Sequence, residues 1–264
     1  MKKLFLATVG LIALSVAPAL AADLPAKVYT KAPAIVPPPI YNWSGFYIGI
    51  NGGGGSSRDC WALNALAGIG IPAVGEGCSN ATGGLVGGQI GYRWQTYNVG
   101  GPGNSVVFGV EAQGDWADFK GSNTSTFFGP LLTNQTKIDA IGLFTGQVGY
   151  AWNNVLWYVK AGAAVTDNKY TGFFTPTNFL IDTASETRWG GTVGTGIEVG
   201  FAPGWSVAFE YNHLFMGSSN HTFSTPVGGF IPGFVTRGER ISEDVDMGTV
   251  RVNYTFGGPV VAKY

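Results

Sequence analysis

The sequence predicts an all-β protein, an eight-stranded antiparallel up-and-down transmembrane β-barrel. Three observations predict it. Apolar and polar residues alternate with period two in eight separate runs. The connections between runs are alternately short and long. Aromatic residues gather at run ends, while full charges sit mid-run on the opposite face.

Residues 1–21 read as a signal peptide. Lys2 and Lys3 supply a positive start, Leu4 to Val16 a short apolar core, and Ala19-Leu20-Ala21 the small residues of a cleavage site. Residues 22–42 form a Pro-rich spacer with Pro25, Pro33 and Pro37-Pro38-Pro39, extended and unable to enter a sheet interior. Lys27 and Lys31 would be its handles if it served as a tail for peptidoglycan or envelope proteins; a plain spacer is the favoured reading. Residues 43–264 form the barrel.

The eight runs are Gly45–Ser57, Gly83–Trp94, Ser105–Lys120, Ile138–Ala151, Val155–Thr166, Thr187–Phe201, Trp205–His213 and Val245–Phe256. In the second, Val86, Ile90, Tyr92 and Trp94 share one face, and Gln89 and Arg93 the other. In the third, Val106, Phe108, Val110 and Ala112 oppose Glu111, Gln113 and Asp115. In the fifth, Trp157, Val159 and Ala161 oppose Tyr158 and Lys160. The sixth sets Val193, Ile197 and Val199 against Arg188 and Glu198, the seventh Val207, Phe209 and Tyr211 against Glu210 and Asn212, and the eighth Val250, Val252 and Tyr254 against Arg251 and Asn253. Such alternation puts one face in an apolar medium and the other in a polar one.

A soluble sandwich would alternate in the same way. The connections argue against it. The links at 95–104, 152–154 and 202–204 are short, whereas those at 58–82, 121–137, 167–186 and 214–244 are long, as in barrels with short periplasmic turns and long outer loops. The aromatics agree: Trp94, Tyr150, Trp157, Phe201, Trp205, Tyr254 and Phe256 form one girdle, and Trp116 and Trp189 the other. A sandwich core would also reject the mid-run charges, because an unpaired buried charge costs several kcal/mol.

Those charges are the candidate site: a lumen network of Arg93, Glu111, Asp115, Asp139, Lys160, Arg188, Glu198, Glu210 and Arg251. Glu111, Lys160, Glu198, Glu210 and Arg251 fall at similar heights, with Asp115, Asp139 and Arg188 in a second layer. An interior of eight strands is just wide enough to be filled by side chains. The network therefore reads as a salt-bridged plug, with a narrow channel as the alternative. Cys60 and Cys78 share a connection, and secretion to an oxidising compartment points to a disulfide. No His lies near them, so a metal site is not indicated.

Other chemistry is weakly supported. His213, His221, Ser218, Ser219 and Asp244 cluster in sequence, but nothing fixes a nucleophile and base together. Gly52-Gly53-Gly54-Gly55 and Gly191 to Gly196 lie in β-patterned runs and read as structural, not as phosphate loops. No cofactor is indicated. The chain carries 15 Lys and Arg against 16 Asp and Glu, and no basic surface for nucleic acid emerges.

The residues also resemble a known family. Ala22-Asp23-Leu24-Pro25 ahead of the Pro-rich stretch, Tyr41-Asn42-Trp43-Ser44-Gly45-Phe46-Tyr47-Ile48-Gly49, Gly149-Tyr150-Ala151-Trp152 leading into Leu156-Trp157-Tyr158-Val159, Trp189-Gly190-Gly191-Thr192-Val193-Gly194, and Gly258-Pro259-Val260-Val261-Ala262-Lys263-Tyr264 are similar to the alphaproteobacterial outer membrane immunogenic proteins, small OmpA-like "porin family" barrels. The resemblance implies an eight-stranded, surface-exposed and often antigenic barrel in the Gram-negative outer membrane, with lipid as its partner and no catalytic residues. In one respect the sequence departs: the alternation ends at Phe256, yet the chain runs on to Tyr264, which reads as a short tail. The expected function is envelope integrity, with a passive channel and an adhesin or receptor as alternatives.

Overall fold

The computed structural model describes residues 41–97, 99, 103–226 and 231–257. The signal peptide, all of the spacer before Tyr41 and the tail from Gly258 onward lie outside the described residues. Among those described, eight strands close into a barrel: β1 (Gly45–Leu66), β2 (Ile69–Tyr97), β3 (Asn104–Thr124), β4 (Leu132–Trp152), β5 (Val155–Phe174), β6 (Phe179–Ala202), β7 (Trp205–Ser224) and β8 (Val235–Thr255). Each strand pairs antiparallel with its neighbours in chain order, and β8 closes on β1.

The strands are 20 to 29 residues long, whereas roughly 9–11 suffice to cross a bilayer. Outward side chains show where the crossing ends. On β3 the outward positions Val106, Phe108, Val110 and Trp116 are apolar, all exposed except the half-buried Val106, and the next charged ones are Asp118 and Lys120. On β6 the apolar run from Phe201 stops at Trp189. Beyond that level the outer face carries Lys120, Lys137, Lys169, Asp118 and Asp139. Every strand therefore continues past the apolar belt into water.

This corrects the expectation of four long loops. Most of 58–82, 121–137, 167–186 and 214–244 is strand. β1 and β2 are joined by a tight turn in which Ala67 and Gly68 both take positive φ, 49° and 80°, the geometry of a two-residue hairpin. The cause is the solvent. Period-two contrast needs an apolar medium outside, and above the belt both faces meet polar surroundings.

The interior is filled in layers. At the end bearing the short turns, Trp43, Val107, Ala151, Leu156 and Tyr158 form a cap. The middle is an apolar layer that includes Leu85, Phe119, Ile141, Leu143, Leu214 and Met247. Towards the far end Trp61, Tyr170, Phe223 and Ile241 form a third cluster. Charged residues occupy the levels between and around these clusters.

Candidate functional site in the barrel interior

The first charged layer lies between the cap and the apolar layer. Arg93 of β2 donates from both terminal nitrogens to the two oxygens of Glu198 on β6, at 3.1 and 2.7 Å. Its guanidinium lies 4.2 Å from the centroid of the Tyr47 ring. Glu198 also accepts from Ser206 and from Asn253, the latter at 3.0 Å. Glu111 and Glu210 sit around Arg251 and Lys160. Arg251 reaches Glu111 at 2.5 Å and also pairs with Glu210, while Lys160 lies 3.1 Å from Glu111 and 2.6 Å from Glu210. Three cations face three carboxylates, and all six residues are at most 5% exposed. A buried carboxylate in such company is charge-compensated, although the desolvation it suffers leaves the net contribution modest.

Two tyrosines complete this layer. Tyr47 donates to Glu111 at 2.6 Å and Tyr158 to Glu210 at 2.5 Å. Each occupies space that a glycine leaves open: a Cβ on Gly91 would come within 2.5 Å of the Tyr47 ring, and one on Gly196 within 2.5 Å of Tyr158. The sequence reading identified the acids and bases but not the hydroxyls that finish their coordination.

Asp115 is buried beside this layer, where its carboxylate accepts from Gln113 at 2.8 Å. Arg188 lies on the other side of the apolar layer. It meets Glu186 at 3.0 Å, His221 at 2.9 Å and Glu243 at 3.4 Å. Asp139 is a correction: it is not in the lumen. A register shift between Ile138 and Ala140 turns it outward, between Lys137 at 2.5 Å and Lys169 at 2.6 Å. Hydrogen bonds from those two ammoniums hold its carboxyl below the ordinary range.

The far end holds a second network that sequence reasoning missed. Arg237 of β8 donates to Asp182 of β6 at 3.0 and 3.2 Å, to Asn134 of β4 at 2.9 Å, and to Glu239 at 3.1 Å. Glu76 of β2 accepts from Asn134 at 2.8 Å. One guanidinium thus serves three buried carboxyl groups and ties together the four even-numbered strands. Burial, with the Glu76 carboxylate adding to it, pushes Glu239 up to about 8. Asp59 is pushed up to about 8 by burial and by Glu243. These acids lay in stretches read as loops. A signal was available in the parity of β8, where Arg237, Glu239, Ile241, Glu243, Val245 and Met247 continue the inward register of Arg251 and Asn253.

The girdle residues all face outward. Trp94, Trp157, Phe201, Trp205 and Phe256 are exposed towards the turn end and Trp116 and Trp189 towards the far end, with Tyr150 and Tyr254 half-buried among their neighbours. Cys60 and Cys78 form a disulfide across paired positions of β1 and β2. His213 pairs with Asp246 at 2.7 Å on the outer face, His221 with Glu186 at 3.1 Å, and Ser219 donates to Glu186 at 2.8 Å. Among the described residues no hydroxyl is hydrogen-bonded to either imidazole.

Comparison with known proteins follows the same line. Residues 6–256 match the family model described as outer membrane protein beta-barrel domain. The 31 kDa outer-membrane immunogenic protein of Brucella melitensis is 28% identical over 223 residues, 83% of this chain and 89% of that protein. The 22 kDa outer membrane protein of Rhizobium leguminosarum is 29% identical over 201 residues, 74% of each. The solved structure of the outer membrane protein OprG from Pseudomonas aeruginosa aligns with 80% of this chain and 97% of its own at 13% identity, with a TM-score of 0.49.

Proposed function

The chain belongs to the outer membrane protein β-barrel domain family and is a protein of the Gram-negative outer membrane; from that premise we propose that it supports the envelope as a closed barrel. The observation that carries this reading is the stratified interior. An ion-paired layer around Arg251 and a second network around Arg237 lie on opposite sides of an apolar layer containing Phe119 and Leu214. Ions would have to cross all three. The apolar belt anchors the barrel in lipid, and the strands carry their far ends beyond it. The reading assigns no catalysis.

Planar bilayer recording of the purified protein tests this. No reproducible step conductance is expected. A deletion strain is expected to be more sensitive to detergent and to shed more vesicles. Steady conductance that changes in Lys160→Ala would overturn the closed barrel in favour of a narrow channel. Unchanged detergent sensitivity and unchanged vesiculation in the deletion strain would remove the envelope role.

A further inference from the structure

The wall of the barrel parts at one seam. β6 and β7 pair from Ala202 and Trp205 up to Gly191 and Phe215, and pair again at Thr183 and Ser224. Between those points residues 184–190 of β6 and 216–223 of β7 have no ladder partners across the seam. The other edge of each strand remains paired, β6 to β5 and β7 to β8. Register resumes after eight steps along β6 and nine along β7, so the wall opens and closes again. Its foot is marked by the outward Trp189 and Phe215, which places the parting just above the apolar belt.

A cavity of about 660 Å³ occupies this parting. Ser185, Asn220 and Thr222 are exposed at its mouth, and Thr171, Thr183 and Ser224 are half-buried beside them. Deeper in, Glu186 faces His221, whose ring lies 4.9 Å from that of Tyr170. Six neutral hydroxyl or amide side chains thus surround one carboxylate. Unpaired main-chain groups of two strand edges add further donors and acceptors.

The lining selects a class of ligand. A phosphate would meet the Glu186 carboxylate, and the one lysine, Lys169, is already held by Asp139 at 2.6 Å. An apolar ligand would find Ala184 and, at the bottom, the fully buried ring of Tyr170, with polar side chains everywhere else. An extended peptide strand would have to separate Glu186 from Ser219 and His221, which bridge the two strands from within. A polyhydroxylated ligand fits. Its hydroxyls both donate and accept, as do Ser and Thr, and it brings no charge to desolvate. Pockets of a few hundred Å³ hold small ligands, so the volume suits about one or two sugar rings. We propose that the parting between β6 and β7 is a binding site for a neutral saccharide unit, entered from the side just above the membrane. The assignment is independent of whether the lumen conducts.

Saturation-transfer NMR on the full barrel in a detergent without sugar headgroups tests this, with maltose and diacetylchitobiose as free probes. A second arm measures retention of smooth against deep-rough lipopolysaccharide in nanodiscs, which separates a free glycan from a lipid-linked one. Transfer to a free probe, or preferential retention of the smooth form, is expected. Asn220→Ala with Thr222→Ala should lower that signal at least threefold, and Thr222→Trp, which fills the mouth, should abolish it, with heat-modifiable mobility confirming that each variant is folded. Absence of signal in both arms overturns the proposal, as does a signal that persists undiminished in both variants.

Discussion

Arg93 and Glu198 meet through two hydrogen bonds, at 3.1 and 2.7 Å, with both side chains fully buried. They come from strands on opposite sides of the barrel, so the pair acts as a strut across the lumen. Removing the cation alone would leave Glu198 with only Ser206 and Asn253. Arg93→Met should therefore cost about 3–5 kcal/mol. Arg93→Met with Glu198→Met should recover a large part of that loss, because no lone charge remains. Urea unfolding of the barrel in liposomes measures both. A double variant as unstable as the single one would contradict this account.

Gly91 and Gly196 should resist substitution by alanine. Each would drive a Cβ to within 2.5 Å of a tyrosine that is itself held by a glutamate. The rings cannot move aside without breaking those bonds. We expect Gly91→Ala and Gly196→Ala each to destabilise by about 1–3 kcal/mol. Gly114→Ala should be nearly neutral, since nothing lies within 4 Å of its added carbon. The same unfolding assay ranks the three, and equal losses would discard the argument.

The contrast between these glycines shows how far the sequence can be read. Gly91 and Gly114 look alike in sequence; only the register tells which one opposes a ring. The eight strands were legible where lipid bathes one face, because Val, Ile, Phe and Trp then alternate with Glu, Arg and Lys. Past Trp116 and Trp189 that contrast fades, and strand reads as loop. Hence Glu111, Lys160, Glu198, Glu210 and Arg251 are legible as a group, whereas Arg237 and Glu239 show only in the parity of β8 and Glu76 and Asp182 not at all. Asp139 departs from its expected face for a different reason. A single shift at Ile138 reverses which face it occupies, and no composition reports such a shift.

The far-end network should loosen as pH rises. Glu239 has a usual value of 4.5 and is pushed up to about 8 by burial and by Glu76. The folded state therefore holds a proton that the unfolded chain gives up more readily. Its contribution is fully present below about 4.5 and is lost as pH rises through about 8. Hydrogen exchange at the far ends of β2, β4, β6 and β8, corrected for intrinsic rates, should be slower at pH 6 than at pH 9. Glu239→Gln, which keeps the neutral form, should flatten that difference. A variant with the wild-type profile would show that Glu239 is not the group concerned.

Phe119 separates stability from closure. It is fully buried in the apolar layer, beside Ile138, Ile141 and Leu214. Phe119→Ala should cost about 3–5 kcal/mol through lost burial and the cavity left behind. It should not make the barrel conduct, because Arg251, Lys160, Glu111 and Glu210 still close the level below. The variant Arg251→Ala opens that level, but leaves the apolar layer, which excludes ions by its lack of hydrogen-bonding partners. The network around Arg237 closes the far end as well. Step conductance is therefore expected only when Phe119→Ala, Arg251→Ala and Arg237→Ala are combined, and in no single variant, once folded samples are selected by heat-modifiable mobility. If Phe119→Ala conducts by itself as well as the triple variant does, neither charged level is a seal, and the lumen is closed by its apolar layer alone.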